Sequence, residues 1–112
     1  MPDSPQNVDE AVEWMRKHFK SEASEGLEAS YEFDVSGPTG GVWHTRISDG
    51  MGDVRFGPAA APDVRFRIVD DACWALLAGR ENADLLYLAD RLEVEGDLSL
   101  ALKMRTLFRA PE

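Results

Sequence analysis

The stretch Leu27-Glu28-Ala29-Ser30-Tyr31-Glu32-Phe33-Asp34-Val35-Ser36 decides the fold, because apolar and polar residues alternate along all of it. A period of two is typical of a strand that buries one face and leaves the other in water. Three further runs follow at Val42–Ser48, Met51–Phe56 and Val64–Val69, each bounded by Gly, Pro or Asp. The four runs predict a sheet with one covered face.

The two faces of this sheet differ sharply in composition. The apolar face, which we expect to be covered, consists of Leu27, Tyr31, Phe33, Val35, Trp43, Ile47, Val54, Phe56, Val64, Phe66 and Ile68. The opposite face carries Glu28, Glu32, Asp34, His44, Arg46, Arg55, Arg65 and Arg67. Such a division is typical of an antiparallel sheet that is wet on one side.

Helices are predicted on both flanks of the four strands. Asn7 is placed to cap a first helix, whose inward stripe is Val8, Val12, Met15 and Phe19. Trp14 lies to one side of that stripe. After the strands, Asp70-Asp71 is expected to cap a helix from about residue 72 to 78, which Gly79 closes.

The last third of the chain predicts two more helices and a strand. Asn82 is expected to cap a short helix, Leu92–Glu95 alternates like a fifth strand, and Asp97 is expected to cap a final helix, Leu98–Phe108. The predicted fold class is therefore α+β: one domain over residues 1–112 with a frayed start at 1–6. It has a five-stranded, mainly antiparallel sheet and helices on one face.

Charge and composition narrow the function classes. A net charge of −9 disfavours nucleic acid as a partner and disfavours stable association with an anionic membrane. The arginines of the polar face are interpreted as cross-strand partners of Glu28, Glu32 and Asp34, with a phosphate-binding patch as the alternative. The chain has one cysteine, no run of about 18 apolar residues, no signal-like start and no peroxisomal tripeptide. A cytoplasmic protein is expected.

Neither a cofactor site, a metal site nor a catalytic set is predicted. Asp70-Asp71 is better explained as a helix cap than as a metal or catalytic pair, since no His or third carboxylate lies near in sequence. The turn Gly37–Gly41 lacks the Lys and the following helix of a phosphate loop. His44 is the only histidine on a predicted strand, and no nucleophile–base pair is readable around it.

Two segments leave alternatives open. The small residues of Gly57–Asp63 form either the rim of an opening or a plain connection. In the last helix, Leu98 and Leu102 lie nearly opposite the stripe Leu100, Ala101, Met104, Leu107 and Phe108. They are either covered by a second element or an apolar molecule, or they are exposed surface leucines.

The order of these features resembles the sterol carrier protein 2-like family. The resemblance covers roughly residues 8–109. It rests on Phe33 and Val35 before the Gly-rich turn, Trp43 and Ile47 before Asp49-Gly50, then Gly57, Pro62-Asp63-Val64, Asp70-Asp71, Leu76 and Gly79. The ending Val94-Glu95-Gly96-Asp97 with Leu98, Ala101 and Leu107-Phe108 completes it.

The resemblance implies a non-catalytic lipid-binding and carrier domain, with an apolar cavity or tunnel between sheet and helices. Its ligand would be a fatty acid, fatty acyl-CoA, sterol or phospholipid. The candidate ligand-binding residues are Phe33, Trp43, Ile47, Val54, Phe56, Phe66, Trp74, Leu77, Leu86, Leu100, Met104 and Phe108. The alternative is an interaction or accessory module whose apolar surface meets a partner protein or a second copy of the chain. A homodimer is one form of it.

The final helix is also predicted to close the cavity and to move when ligand enters. This expectation assumes that nothing later in the chain holds the far end of the helix.

Overall fold

The computed structural model describes residues 5–107, apart from the side chains of residues 23, 105 and 106. In chain order the elements are α1 (Val8–His18), a 3-10 helix (Ser21–Ser24), β1 (Ala29–Ser36), β2 (Gly41–Ser48), β3 (Met51–Phe56), β4 (Val64–Val69), α2 (Asp70–Leu77), α3 (Ala83–Leu88), β5 (Leu92–Gly96) and α4 (Leu98–Leu107). The α+β class and the five strands are confirmed. Strand β1 begins two residues later than predicted.

The five strands form one sheet in the order β3-β2-β1-β4-β5. Strands β1 and β4 run parallel, and the other three neighbouring pairs are antiparallel. The tight turn between β2 and β3 has positive φ at Asp49 (53°) and Gly50 (76°), the conformation that a two-residue hairpin needs. The prediction of a mainly antiparallel sheet is therefore correct.

Three of the predicted helix caps are present. The Asn7 side chain accepts a hydrogen bond from the Glu10 amide at 2.9 Å, and Asn82 accepts one from the Asp84 amide at 2.8 Å. Asp97 accepts from the Ser99 amide at 2.9 Å. Each side chain satisfies amides that the first turn of a helix leaves without an internal partner.

The predicted cap at Asp70-Asp71 is wrong in detail. Val69 occupies the N-cap position, and Asp70 is already the first residue of α2. The Asp70 carboxylate accepts hydrogen bonds from the Thr39 amide (3.0 Å) and the Thr39 hydroxyl (2.8 Å). These bonds from Thr39 hold the pKa of Asp70 below its ordinary value. Asp70 therefore ties the β1–β2 turn to α2.

The connection between β3 and β4, residues 57–63, crosses the polar face of the sheet. His44 Nδ1 donates to the Gly57 carbonyl at 2.8 Å, and the Ala59 amide donates to the Glu32 carboxylate at 2.9 Å. This segment buries Glu32, which is 3% exposed although it was expected in water. The segment is a plain connection and takes no part in the opening described below.

Ion pairs across strands organise the same face. Arg65 donates to Glu32 at 2.7 Å, and Arg67 pairs with Glu95 at 3.0 Å. Burial acts to raise the pKa of Glu32, but its hydrogen bonds with Asp34, Arg65 and the Ala59 amide outweigh that effect and lower it. Cross-strand pairing of the arginines is thus confirmed for Arg65 and Arg67, which both lie 3.8 Å from Asp34.

The edge strand β3 is partly protected by α1. Arg16 Nη2 donates to the Val54 carbonyl at 2.7 Å. That carbonyl is therefore not free to accept a hydrogen bond from a strand of another molecule. Phe56, expected on the covered face, is 56% exposed because it lies at the end of this edge strand.

Candidate functional site: an apolar cavity between sheet and helices

The floor of the cavity is one row of residues in register across four strands. Phe33 pairs with Trp43 on one side and with Phe66 on the other, and Phe66 pairs with Val94. All four side chains line the cavity. With strands about 4.8 Å apart, three spacings give a floor about 14 Å long. The Phe33 ring lies 5.2 Å from the Trp43 ring and 5.4 Å from the Phe66 ring, so most of the floor is aromatic.

Residues of four helices, together with Ile68 of β4 and Leu92 of β5, complete the lining. The cavity has a volume of about 470 Å³ and is lined in addition by Trp14, Met15, Ile68, Cys73, Leu76, Leu77, Ala83, Asp84, Tyr87, Leu92, Leu98, Ala101, Leu102 and Met104. This volume lies within the range of about 300–1,000 Å³ found for small-molecule sites. A space of this size and lining can hold an apolar molecule.

The cavity is closed at one end and open at the other. The closed end is formed by Trp14, Met15 and Trp43, which are 5%, 2% and 0% exposed. The mouth is formed by Tyr87, Leu98 and Leu102, which are 47%, 55% and 61% exposed. The cavity therefore runs across the sheet from α1 and β2 to an opening between α3 and α4.

The lining carries little charge. Among the described residues that line the cavity, Asp84 is the only carboxylic acid and none is a lysine, arginine or histidine; Asp84 lies in the first turn of α3. Burial, together with the charge of Asp70, raises the pKa of the Cys73 thiol to about 12, so this thiol is uncharged at neutral pH. Nucleophilic chemistry by a cysteine thiolate is thereby disfavoured.

Helix α4, which forms part of the roof, is attached to the rest of the domain at both ends. The Tyr31 hydroxyl donates to the Leu100 carbonyl at 2.8 Å, and the Lys20 amide donates to the Leu107 carbonyl at 2.8 Å. The expectation considered only later parts of the chain, and the far end is held instead by Lys20, which comes earlier. Movement of the helix remains a prediction, and it would require these bonds to break.

The structure brings some of the candidate ligand-binding residues together and separates others. Five of them line the cavity: Phe33, Trp43, Phe66, Leu77 and Met104. Five lie outside its lining: Ile47, Val54, Trp74 and Leu86, which are buried in the core, and Leu100, which packs against the core. Phe56 is exposed at the sheet edge. Phe108 lies outside the described residues.

The candidate residues predicted from the sequence leave out most of the side chains that form the roof. Leu98 and Leu102 both line the mouth, which explains why α4 has leucines opposite its inward stripe. Trp14, which lies beside the α1 stripe, forms part of the closed end. In both helices the signal was a large apolar residue off the expected face. Residues of that kind line the cavity together with part of the stripe, namely Met15, Ala101 and Met104.

Residues 5–107 contain neither a metal-binding cluster nor a membrane-spanning helix. No group of three or more His, Cys, Asp or Glu side chains in that range is placed to hold a metal ion. The same part of the chain contains no helix long and apolar enough to cross a membrane. His44 is engaged with the Gly57 carbonyl on the polar face of the sheet, the face opposite the cavity.

Comparison with known proteins supports this interpretation. The SCP-2 sterol transfer family matches residues 13–109. Hydroxysteroid dehydrogenase-like protein 2 of Bos taurus is 23% identical over 101 residues, which are 89% of this chain and 24% of that protein. The chain thus spans about a quarter of the length of this curated relative.

Solved structures share the fold. Sterol carrier protein 2 of Yarrowia lipolytica, in its apo form, superimposes with a TM-score of 0.62 at 25% identity, covering 74% of each chain. Palmitated SCP2L2 of Aedes aegypti gives 0.65 at 18% identity, over 85% of this chain and 91% of that one. The sec-alkylsulfatase Pisa1 of a Pseudomonas species gives 0.78 at 10% identity, over 93% of this chain and 16% of that one. The chain belongs to the SCP-2 sterol transfer family, a family of lipid-binding domains.

Proposed function

We propose that this domain is a non-catalytic carrier that binds one lipid molecule in the cavity between its sheet and its helices. The observation that carries the proposal is the lining: an aromatic floor and an aliphatic roof enclose about 470 Å³, and the roof side chains at the mouth are left partly in water. Burial of an acyl chain or a sterol there would remove apolar surface from water on both ligand and protein, which is the main driving force for such binding.

The ligand class follows from the same lining and from the relatives. Fatty acid, fatty acyl-CoA, sterol and phospholipid all present an apolar body that suits the cavity, and the Aedes aegypti relative was solved with palmitate. Met104 in the wall gives an adaptable surface for ligands of different shape. A cytoplasmic location suits such a carrier and stays a prediction.

Lipid extraction tests this function directly. The purified protein is extracted with organic solvent and the extract is analysed by mass spectrometry, and a stoichiometric lipid is expected. The delipidated protein is then titrated with a fluorescent long-chain fatty acid, which should give a saturable signal. Failure to saturate up to the solubility limit, together with an empty extract, would contradict the proposal.

A matched pair of variants locates the site. Ala101 lines the cavity, whereas Ala60 is exposed in the crossing segment on the polar face. Ala101→Phe should reduce binding of the fluorescent fatty acid because the ring takes up cavity volume. Ala60→Phe makes the same chemical change away from the cavity and should leave binding unchanged. Equal effects would place the ligand elsewhere.

The second candidate function is an accessory or interaction module without a carrier role. It is favoured by the exposed leucines around the mouth and along α3, which include Leu85 (64% exposed) and Leu88 (76% exposed). It is also favoured by the relatives, in which the matching part is a small share of a larger protein. Sedimentation equilibrium of the delipidated protein, with and without fatty acid, separates the two. A stable homodimer that no lipid dissociates would favour the module.

A further inference from the structure

The aromatic side chains on the covered face of the sheet form a row of stacked rings. The ring of Phe33 lies between those of Trp43 and Phe66, and its plane is 17° from the first and 15° from the second. Beyond Trp43 the row continues to Trp74 of α2, at 6.3 Å and 15°. Nearly parallel rings with centroids this close are offset-stacked, so each ring turns its face towards its neighbour.

This stacking decides which part of Phe33 faces the cavity. Trp43 belongs to the neighbouring strand on one side and Phe66 to the neighbouring strand on the other, so both faces of the Phe33 ring are covered. Strand β1 is the central strand of the sheet, and Phe33 belongs to the core between sheet and helices. The 9% of Phe33 that stays accessible is therefore reached through the cavity, and it is the edge of the ring.

Phe66 supplies most of the remaining aromatic surface of the floor. It is half-buried on β4, which lies between β1 and β5, and it lines the cavity. Its ring is stacked on Phe33, and Val94, its partner on β5, is aliphatic. Trp43 is 0% exposed and adds little surface that a ligand can touch. A ligand on the floor therefore meets the rings of Phe33 and Phe66.

We infer that the floor selects lipids whose apolar body carries an aromatic ring or another flat conjugated group, and that this group lies on the ring edges of Phe33 and Phe66. This preference rests on the proposed function and narrows its ligand class. The edge of an aromatic ring is positive and its face is negative, so an edge-to-face contact is attractive beyond the burial of apolar area. A saturated chain or ring has no such face and gains from burial alone.

The roof does not distinguish these ligands in the same way. Apart from Trp14 at the closed end and Tyr87 at the mouth, the described lining residues outside the floor are not aromatic. The helix side chains opposite the floor include Leu76, Leu77 and Ala101, which pack equally well against saturated and unsaturated groups. The flat group of the ligand is therefore expected to face the sheet, with aliphatic parts against the helices.

A matched pair of ligands tests the preference on the unmodified protein. Hexylbenzene and hexylcyclohexane have the same carbon skeleton and differ only in saturation of the ring. Because the saturated ring leaves water more readily, each dissociation constant is corrected by the partition of that ligand between water and hexadecane. After correction, hexylbenzene should bind about two- to tenfold more tightly. Equal corrected affinities would overturn the inference and leave the carrier function intact. If neither ligand bound, the proposed function itself would fail.

A matched pair of variants locates the preference on the floor. Phe66→Leu removes a ring edge but keeps an apolar side chain, so the preference for hexylbenzene should fall by about twofold or more while hexylcyclohexane binds about equally. Phe56→Leu makes the same change at the exposed end of β3, outside the cavity lining, and should leave the preference unchanged. Thermal melts establish that both variants fold. An unchanged preference in folded Phe66→Leu would overturn the inference.

Ring-current shifts give a readout that needs no variant. Phenylalanine labelled with ¹³C reports on the five phenylalanines of the chain. Protons that lie over the face of a ligand ring are shielded, so hexylbenzene should move the ring signals of Phe33 and Phe66 upfield relative to hexylcyclohexane. The signals of Phe56 should respond equally to both ligands. A downfield shift at Phe33 and Phe66, or the same response to both ligands, would contradict the edge-to-face contact.

Discussion

The two halves of the covered sheet face come from the same alternating strands but are closed in different ways. Over β2 and β3 lies α1, which has 11 residues, and the side chains of Val12, Ile47 and Val54 there are at most 1% exposed. Over β4 and β5 lie α2, α3 and α4, of which α3 has only six residues. We call the first region the packed half and the second the hollow half.

The difference separates stability from binding. Protein interiors are normally close-packed, and volume left unfilled lowers stability. The packed half follows this rule except at Trp14, Met15 and Trp43, which form the closed end of the cavity. The hollow half supplies most of the cavity lining and leaves Leu98 and Leu102 largely in water. The fold tolerates this unfilled volume because α1, β2 and β3 supply a continuous core. We therefore expect substitutions in the two halves to act on different properties.

The largest effect is expected from Ile47→Ala in the packed half. Ile47 is fully buried, and truncation of such a residue typically costs about 2–5 kcal/mol in the free energy of unfolding. Leu76→Ala, in the half-buried cavity wall, should cost clearly less because part of that side chain faces empty space. Urea denaturation of both variants measures the contrast. Equal losses would remove the distinction between the halves.

Tyr31 stands at the boundary between the halves and should make the domain sensitive to alkali. Burial, aided by the charges of Asp63 and Asp97, raises its pKa from 10.0 to about 12. Since the unfolded chain ionises first, the contribution of Tyr31 to stability is complete below pH 10 and is lost between pH 10 and 12. The loss should amount to about 2–3 kcal/mol.

Denaturation as a function of pH measures this loss. Tyr31→Phe should remove the alkaline decline but also the hydrogen bond to the Leu100 carbonyl, so it should be less stable at neutral pH by about 1 kcal/mol. Tyr87→Phe, at the exposed mouth, is the control and should retain the decline. An alkaline decline that survives in Tyr31→Phe would show that another group causes it.

These contrasts also mark how far the sequence alone predicts the structure. The alternation that places Phe33 and Phe66 on the covered face is local, because each side chain is directed by its own strand. Burial of Glu32 was not predictable in the same way, since the segment that covers it arrives from residues 57–63 and has no periodic pattern. A filled core and a lined cavity also have the same periodicity. Ile47 is packed in the core and Phe66 lines the cavity. The difference comes from the distance between helix and sheet above each residue, which the sequence pattern does not record.

A pair of alanine substitutions compares filling in the two halves. Ala11 is 0% exposed in α1, so Ala11→Leu should overfill the packed half and cost about 1–3 kcal/mol. Ala101 lines the cavity, so Ala101→Leu should find free volume and stabilise the domain by about 0.5–2 kcal/mol. Thermal melts of both variants give the sign of each change. Destabilisation by both would indicate that the hollow half is already filled in solution.

The smallest change in stability, and the most specific change in binding, is expected at the mouth. Leu98 and Leu102 are 55% and 61% exposed, so Leu98→Ala and Leu102→Ala should each alter the free energy of unfolding by less than about 0.5 kcal/mol. Both side chains nevertheless line the cavity, and a ligand would cover them. Their truncation should therefore weaken binding of a fluorescent fatty acid while the melting temperature of the ligand-free protein stays constant. Leu88→Ala is the control, because Leu88 is 76% exposed on α3 but does not line the cavity, and neither property should change. If all three variants bound ligand as the unmodified domain does, the exposed leucines at the mouth would have no part in lipid binding, and contact with another protein would explain them better.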